Sequence, residues 1–194
     1  MRIGVDHCFS RVSFHMVNRL LDHGYEVQGR GEVKSKDQED MYMWIGRNAN
    51  FDWITVSSDF SVDQTFLIEE VDETDRGHSY YRMELFHSSS PQKTFYLPFL
   101  YGPWLESEDW TWNDQYQILF PQRGESWVRE NGIWVEDACD WVISSLSQKV
   151  KQKELVLLPR PYSKRECHPN NSQFLVRQTS FDNAIQKWKM FKKY

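Results

Sequence analysis

The sequence predicts an α/β fold, a mostly parallel sheet flanked by helices. Residues 2–29 read as strand, amphipathic helix, strand. Short apolar, β-branched stretches recur along the rest of the chain, with helical periodicity between them. Strands alternating with helices in this order build parallel units with right-handed crossovers.

Each element has a local reason. RIGVD (2–6) is short and β-prone, and from about Ser13 a helical face collects Val12, Met16, Val17, Leu20 and Leu21. His23-Gly24 ends that helix and YEVQG follows as a second strand. Residues 37–47 form a helix and FDWITVSS (51–58) a third strand, which makes the first half Rossmann-like. TFLIEEV (65–71) is a strand, SYYRMELF (79–86) is read as a short helix, and KTFYLPFLYGP (93–103) as one strand running into a Gly-Pro turn. Residues 104–131 show no clean period and are expected to be loop with at most one helix, around 113–119. GIWVEDACDWVISSL gives a strand at 132–135 and a helix sharing Ala138, Trp141, Val142 and Leu146, with Glu136-Asp137 suiting the helix dipole. KELVLLP is a last strand and 160–178 is loop-like. Thr179 or Ser180 then caps a helix with Ala184, Ile185, Trp188 and Phe191 inward and Lys187, Lys189, Lys192 and Lys193 outward.

Length and composition bound the function. A chain of 194 residues, 40% apolar and 15% aromatic, can bury a sizeable core as one compact unit. No stretch approaches the roughly 20 apolar residues of a membrane span, and residues 1–25 lack a signal-peptide pattern, so a cytoplasmic protein without a membrane partner is expected. Cys8, Cys139 and Cys167 form no C-x-x-C pair and are expected to be reduced. Residues 149–194 carry eleven Lys/Arg against three Asp/Glu, leaving this end at +8 and residues 1–148 at −13. Such an end suits an acidic partner or a phosphate backbone, but the plainer reading is the solvated face of a terminal helix, and nucleic acid is disfavoured.

Several stretches, in order, resemble the extended short-chain dehydrogenases, the NAD-dependent sugar-nucleotide epimerases and dehydratases. They are the opening strand and helix with His15, Val17, Arg19-Leu20-Leu21 and Gly24-Tyr25-Glu26-Val27; FYLPFLYGP; Ile133-Trp134-Val135-Glu136-Asp137; and TSFDNAIQKW. The resemblance implies a degenerate NAD(P)-binding domain over 1–103. A remnant of the substrate subdomain with the closing helix would follow over 104–194. It also implies a role for Tyr101 beside a substrate, and for Arg123 or Arg129 on a nucleotide diphosphate.

The chain departs from the family where the chemistry lies. His7, Ser10 and Ser13 stand at the positions of the family's glycine-rich turn, whose glycines allow unusual backbone angles and close approach of a pyrophosphate. Ser10, Arg11 and Ser13 at the helix start are left as candidates for holding an anion, although filling of the crevice is the plainer reading. After the second strand comes Gln28-Gly29-Arg30-Gly31-Glu32, in which Arg30 suits a phosphate better than a ribose. The Tyr-x-x-x-Lys pair finds its nearest match at Tyr80 or Tyr81, followed four residues later by Glu84 and Leu85. The family is longer, and the deficit falls between about 57 and 94, where its catalytic helices would lie.

No metal site is expected, since His7-Cys8 and Cys167-His168 are isolated pairs. The acidic run from Glu69 to Asp75 reads as a solvated edge. Trp104, Trp110, Trp112 and Trp127 fit an interface or stacking platform as well as they fit a filled cavity. The leading expectation is a non-catalytic relative that binds a protein partner or a nucleotide-like ligand and needs no cofactor. The alternative is an active NAD- or NADP-dependent enzyme with a remodelled site using Arg11 and Arg30, and a third is nucleic-acid binding through 149–194.

Overall fold

The computed structural model describes residues 1–62, 64–73, 78–87, 90–97, 99–105, 111–113, 118–120, 124–147, 153–158, 172–174 and 179–191. The chain opens β1 (Arg2–Asp6), α1 (Arg11–Asp22), β2 (Glu26–Arg30), α2 (Lys36–Ile45) and β3 (Phe51–Ile54), in the predicted order. It continues β4 (Gln64–Glu73), β5 (His78–His87), β6 (Ser90–Leu97) and β7 (Leu100–Tyr101). Then follow β8 (Thr111–Asn113), β9 (Ile118–Phe120), α3 (Gly124–Asn131), β10 (Ile133–Trp134), α4 (Val135–Ser147), β11 (Glu154–Leu158), β12 (Ser172–Phe174) and α5 (Phe181–Phe191).

The eight-stranded sheet runs β12-β11-β6-β5-β4-β1-β2-β3, and only β5 is antiparallel to its neighbours. This is the Rossmann-like, mostly parallel α/β architecture that the strand–helix alternation predicts. Two small pairs, β7–β10 and β8–β9, lie outside the sheet.

One sheet face is apolar. Ile3, Val5, Val27, Phe66, Met83, Leu85, Phe95, Leu97, Leu155 and Leu157 are buried there, in one cluster with Val12, Met16, Val17 and Leu20 of α1 and Ala138, Val142 and Ile143 of α4. Residues on both sides of the 103/104 boundary thus share a core. Arg19 fastens α1 to α4 by a fork onto Asp140, its Nε and Nη2 donating at 2.9 and 2.8 Å. The alternate residues of the strands are polar: Arg82 pairs with Glu69 at 2.5 Å across β4 and β5. A second cluster joins Tyr101, Val128 and Trp134 to Phe181, Ala184, Ile185 and Trp188 of α5. Asp137 at the start of α4 accepts from the Thr179 hydroxyl at 2.6 Å, and Ser180 Oγ accepts from the Asn183 amide, which starts α5.

Four expectations are corrected. SYYRMELF is strand β5, because Tyr81, Met83 and Leu85 alternate with Arg82 and Glu84, a period of two. Residues 111–113 and 118–120 pair as antiparallel strands where a helix was expected, since short apolar runs do not tell strand from helix. The stretch 93–103 divides into β6 and β7, which belong to different sheets, and part of the loop-like 160–178 segment is β12.

The end of α1 follows a Schellman pattern: Gly24 N donates to Leu21 O at 2.9 Å and Tyr25 N to Leu20 O at 3.0 Å, with Gly24 at φ +80°. A Cβ on Gly24 meets nothing within 4 Å, so Gly24→Ala carries only the backbone cost, about 1 kcal/mol. A melting midpoint lowered by roughly 2–4 °C is the expected result in a thermal scan.

Candidate functional site

The turn between β1 and α1 keeps its shape without glycine. His7 takes φ +50°, its amide donating to Asp6 Oδ1 at 2.9 Å and its carbonyl accepting from Ser10 N at 2.7 Å. A non-glycine residue there stores strain on the order of 1 kcal/mol. Ser10 sits at φ −81°, an ordinary value, and its hydroxyl donates to that of the fully buried Ser13 at 2.8 Å. The left-handed position is thus held by His7, and the two serines satisfy each other. Close approach moves to β2, where a Cβ on Gly29 would stand 2.7 Å from the Phe51 ring and 2.9 Å from Cys8 Sγ. Burial pushes the Cys8 thiol up to about 12, which removes it as a nucleophile at neutral pH.

Beside this turn a cleft of about 660 Å³ opens at the carboxyl ends of β1 and β4, where the sheet order reverses direction. Such a switch point is where open α/β sheets hold ligands. Ser10 and Arg11 reach it from α1, Ser35 and Asp37 from the start of α2, and Glu70 and Tyr81 from β4 and β5, with Phe9, Ile68 and Trp104 as apolar wall. Ser35 and Gln38 cap α2 reciprocally, Ser35 Oγ accepting from Gln38 N at 3.3 Å and Gln38 Oε1 from Ser35 N at 3.2 Å.

Glu70 and Tyr81 are cross-strand partners, and the Glu70 carboxylate and the Arg11 guanidinium both act on the Tyr81 hydroxyl. Burial, and then the Glu70 charge, push the tyrosine pKa up, with Arg11 opposing. Leu85 is in the core and Glu84 belongs to the opposite face. In a strand the residue four positions on lies about 13 Å away, so no Tyr-x-x-x-Lys pair of the family's kind forms here even in outline. Tyr80 belongs to β5, with its side chain outside the described residues.

The other candidates are held elsewhere. Arg30 is on the far face of β2, donating from Nε and Nη2 to Asp6 at 3.0 and 2.5 Å and lying 4.5 Å from the Phe60 ring centroid. The Asp6 bond raises its pKa further. Arg11 and Arg30 are thus not brought together. Tyr101 is buried against Trp134 and Phe181, with its pKa pushed up by burial. Arg129 donates to Asp182 at 3.0 Å and lies over the Phe181 ring at 4.0 Å. Arg123, Trp110 and the Cys167-His168 pair lie outside the described residues, as does the Trp112 side chain. No group of His, Cys, Asp and Glu able to hold a metal occurs among the described residues, and no described helix is long and apolar enough to cross a membrane.

Sequence reasoning missed most of the cleft wall. The Ser35-Asp37-Gln38 start of α2 carried a usable signal, a capping box. Trp104 was a stacking candidate in the sequence, but its place in the cleft is set by a distant contact. His15 Nε2 donates to the Pro103 carbonyl at 2.8 Å, and the Phe14 and Trp104 rings meet edge-on at 4.8 Å. Trp104 itself adopts φ +58°.

These features define a Rossmann-like α/β protein with a cleft at its switch point. No family model matches the chain, and no curated protein matches it. Among solved structures it is similar over a limited stretch to the yeast methylglyoxal/isovaleraldehyde reductase Gre2 in complex with NADPH. The identity is 26%, over 29% of this chain and 16% of that one, with a TM-score of 0.24. The stretch in common therefore spans less than a fifth of that enzyme.

Full burial holds the His15 pKa below its usual value, outweighing the Pro103 bond and the Glu136 charge, which act the other way. A lowered folded value means that the unfolded state binds the proton more readily, so stability is complete above about pH 6.5 and falls as pH drops through it. Urea midpoints measured from pH 7.5 to 5.5 should decline, and His15→Gln, which keeps a donor but does not titrate, should flatten part of that decline.

Proposed function

We propose that the protein is a non-catalytic binding protein, related to the sugar-nucleotide epimerases and dehydratases, that holds a nucleotide-like ligand in the β1/β4 cleft without hydride transfer. The observation that carries this reading is the placing of strain. Among the described residues the non-glycine positions of positive φ are His7 and Trp104, and both line the cleft. Strained backbone persists where the surrounding structure enforces it, and it concentrates at ligand sites.

The chemistry of the wall agrees. Arg11 offers a guanidinium to an anionic group beside the start of α1, and Phe9 and Trp104 offer apolar ring surface to a base or sugar. Tyr81 is engaged by Glu70 and has a raised pKa, which makes it a poor proton-transfer group near neutral pH. This favours binding over turnover.

Thermal melting with and without millimolar NAD, NADP, UDP-glucose or dTDP-glucose tests the reading. A ligand at about 100 times its Kd stabilises by roughly 2.7 kcal/mol, an upward shift of several degrees at this chain length. At least one nucleotide should raise the midpoint, Arg11→Ala should remove most of the shift, and neither NADH nor NADPH should be consumed. Flat melting curves with all four, or steady NADPH oxidation with a carbonyl substrate, would overturn it.

A further inference from the structure

The exposed large apolar side chains of the described residues gather at one edge of the molecule. Met43 and Trp44 on the outer side of α2, Trp53 in β3 and Val56 just after it are 55, 42, 41 and 50% exposed, and apart from them there is only Met1. β3 ends the sheet on this side, pairing with β2 alone among the described strands. A sheet edge is ordinarily protected by lysine, proline or a bulge, and FDWI has none. Its one charge, Asp52, is already engaged by Arg2 and by Gln28 Nε2 at 3.0 Å.

We propose that this edge pairs with a second copy of itself, β3 against β3, antiparallel about a two-fold axis at Trp53, joining two sheets into one. The register follows from the hydrogen bonds of β2. Val27 N donates to Asn50 O at 2.8 Å, and β2 and β3 are parallel with Val27 opposite Phe51. In a parallel ladder that turns the Asn50 carbonyl and the amides and carbonyls of Asp52 and Ile54 toward β2, and those of Trp53 toward the open edge.

A strand pairing with itself must centre on a residue, because directly opposite side chains share a face. Centring on Asp52 would set two carboxylates against each other, and the Asp52 backbone groups are turned to β2. Centring on Trp53 lets the two Trp53 residues exchange both outward hydrogen bonds, sets indole beside indole, and places each Asp52 opposite an Ile54. The charge pattern and the hydrogen-bond pattern therefore select the same register.

A stable interface covers about 800 Å² on each partner, more than a four-residue edge supplies. The remainder comes from the helix beside it. Tyr42 of α2 packs on Trp53 with centroids 5.1 Å apart, and Met43, the next residue of the helix, is exposed. Such an arrangement is isologous and closes, so it stops at a dimer.

Light scattering after size exclusion, on the full chain from micromolar to hundred-micromolar concentration, should give twice the 23.3 kDa monomer mass. Met43→Lys and Val56→Lys, both at exposed positions, should weaken the dimer at least tenfold with an unchanged far-ultraviolet dichroism spectrum. Asp52→Cys and Ile54→Cys, each made in a Cys167→Ser background, test the register. Non-hydrogen-bonded partners sit about 4.5 Å apart at Cα, within disulfide reach, so mild oxidation should cross-link an equal mixture of the two and neither one alone. A monomeric mass across the whole range overturns the proposal, and so does a dimer whose mixed variants cross-link no better than either alone.

Discussion

The constraint on which the rest depends is the β4-β5-β6 meander. A parallel sheet needs a crossover between successive strands, and crossovers are normally helices lying on its faces. Here the chain passes from β4 to β6 through the antiparallel β5, so that β4 and β6 run the same way with a strand between them instead of a helix. The sheet keeps its width with few residues, and the helices that remain are concentrated against one face. That is why Ile3, Phe66, Met83, Phe95 and Leu155 share a single core with α1 and α4, while the alternate residues Glu69, Arg82 and Glu84 pair in ladders on the other side. The Arg19–Asp140 fork closes the helical layer from the outside.

The same parity decides which predicted residues meet. Val27 and Gly29 of β2 face the helices and the cleft turn, so Arg30, one residue on, faces away and finds Asp6. Burial alone would raise the Asp6 pKa, but the bonds and charge from Arg30 and His7 more than offset it, and the carboxyl stays below its usual range. Arg11, by contrast, comes from the first turn of α1 and enters the cleft directly. Period two separates two arginines that a linear reading could only group together.

Much of the fold was legible, and the reason is local. The opening strand, the helix with Val12, Met16, Val17 and Leu20, the Gly24 stop and the second strand are each set by periodicity and capping within a few residues. β5 was not legible, because Tyr80-Tyr81 beside Met83 and Leu85 is too short an apolar run to declare its period. β8–β9 and β12 are short strands whose pairing partners supply what their sequence does not. For the cleft, Ser10 and Arg11 could be named from the start of α1, whereas Glu70, Tyr81 and Trp104 are brought in by strand register and by the His15–Pro103 bond. Sequence spacing carries no record of either.

The turn and the proton-transfer pair fared differently for a physical reason. A left-handed backbone position needs only one residue to accept strain of about 1 kcal/mol, and the surrounding bonds from Asp6, Ser10 and the Arg30 carbonyl over-determine His7 and Cys8. The turn therefore holds its shape with His7 at the left-handed position. A tyrosine and lysine four residues apart act together only when a helix stacks them on one face, and in β5 the same spacing points them along a strand at about 13 Å. No side-chain substitution within β5 could restore that pair. The shape of the turn is thus set by bonds within a few residues, whereas the reach of Tyr81 is set by strand register.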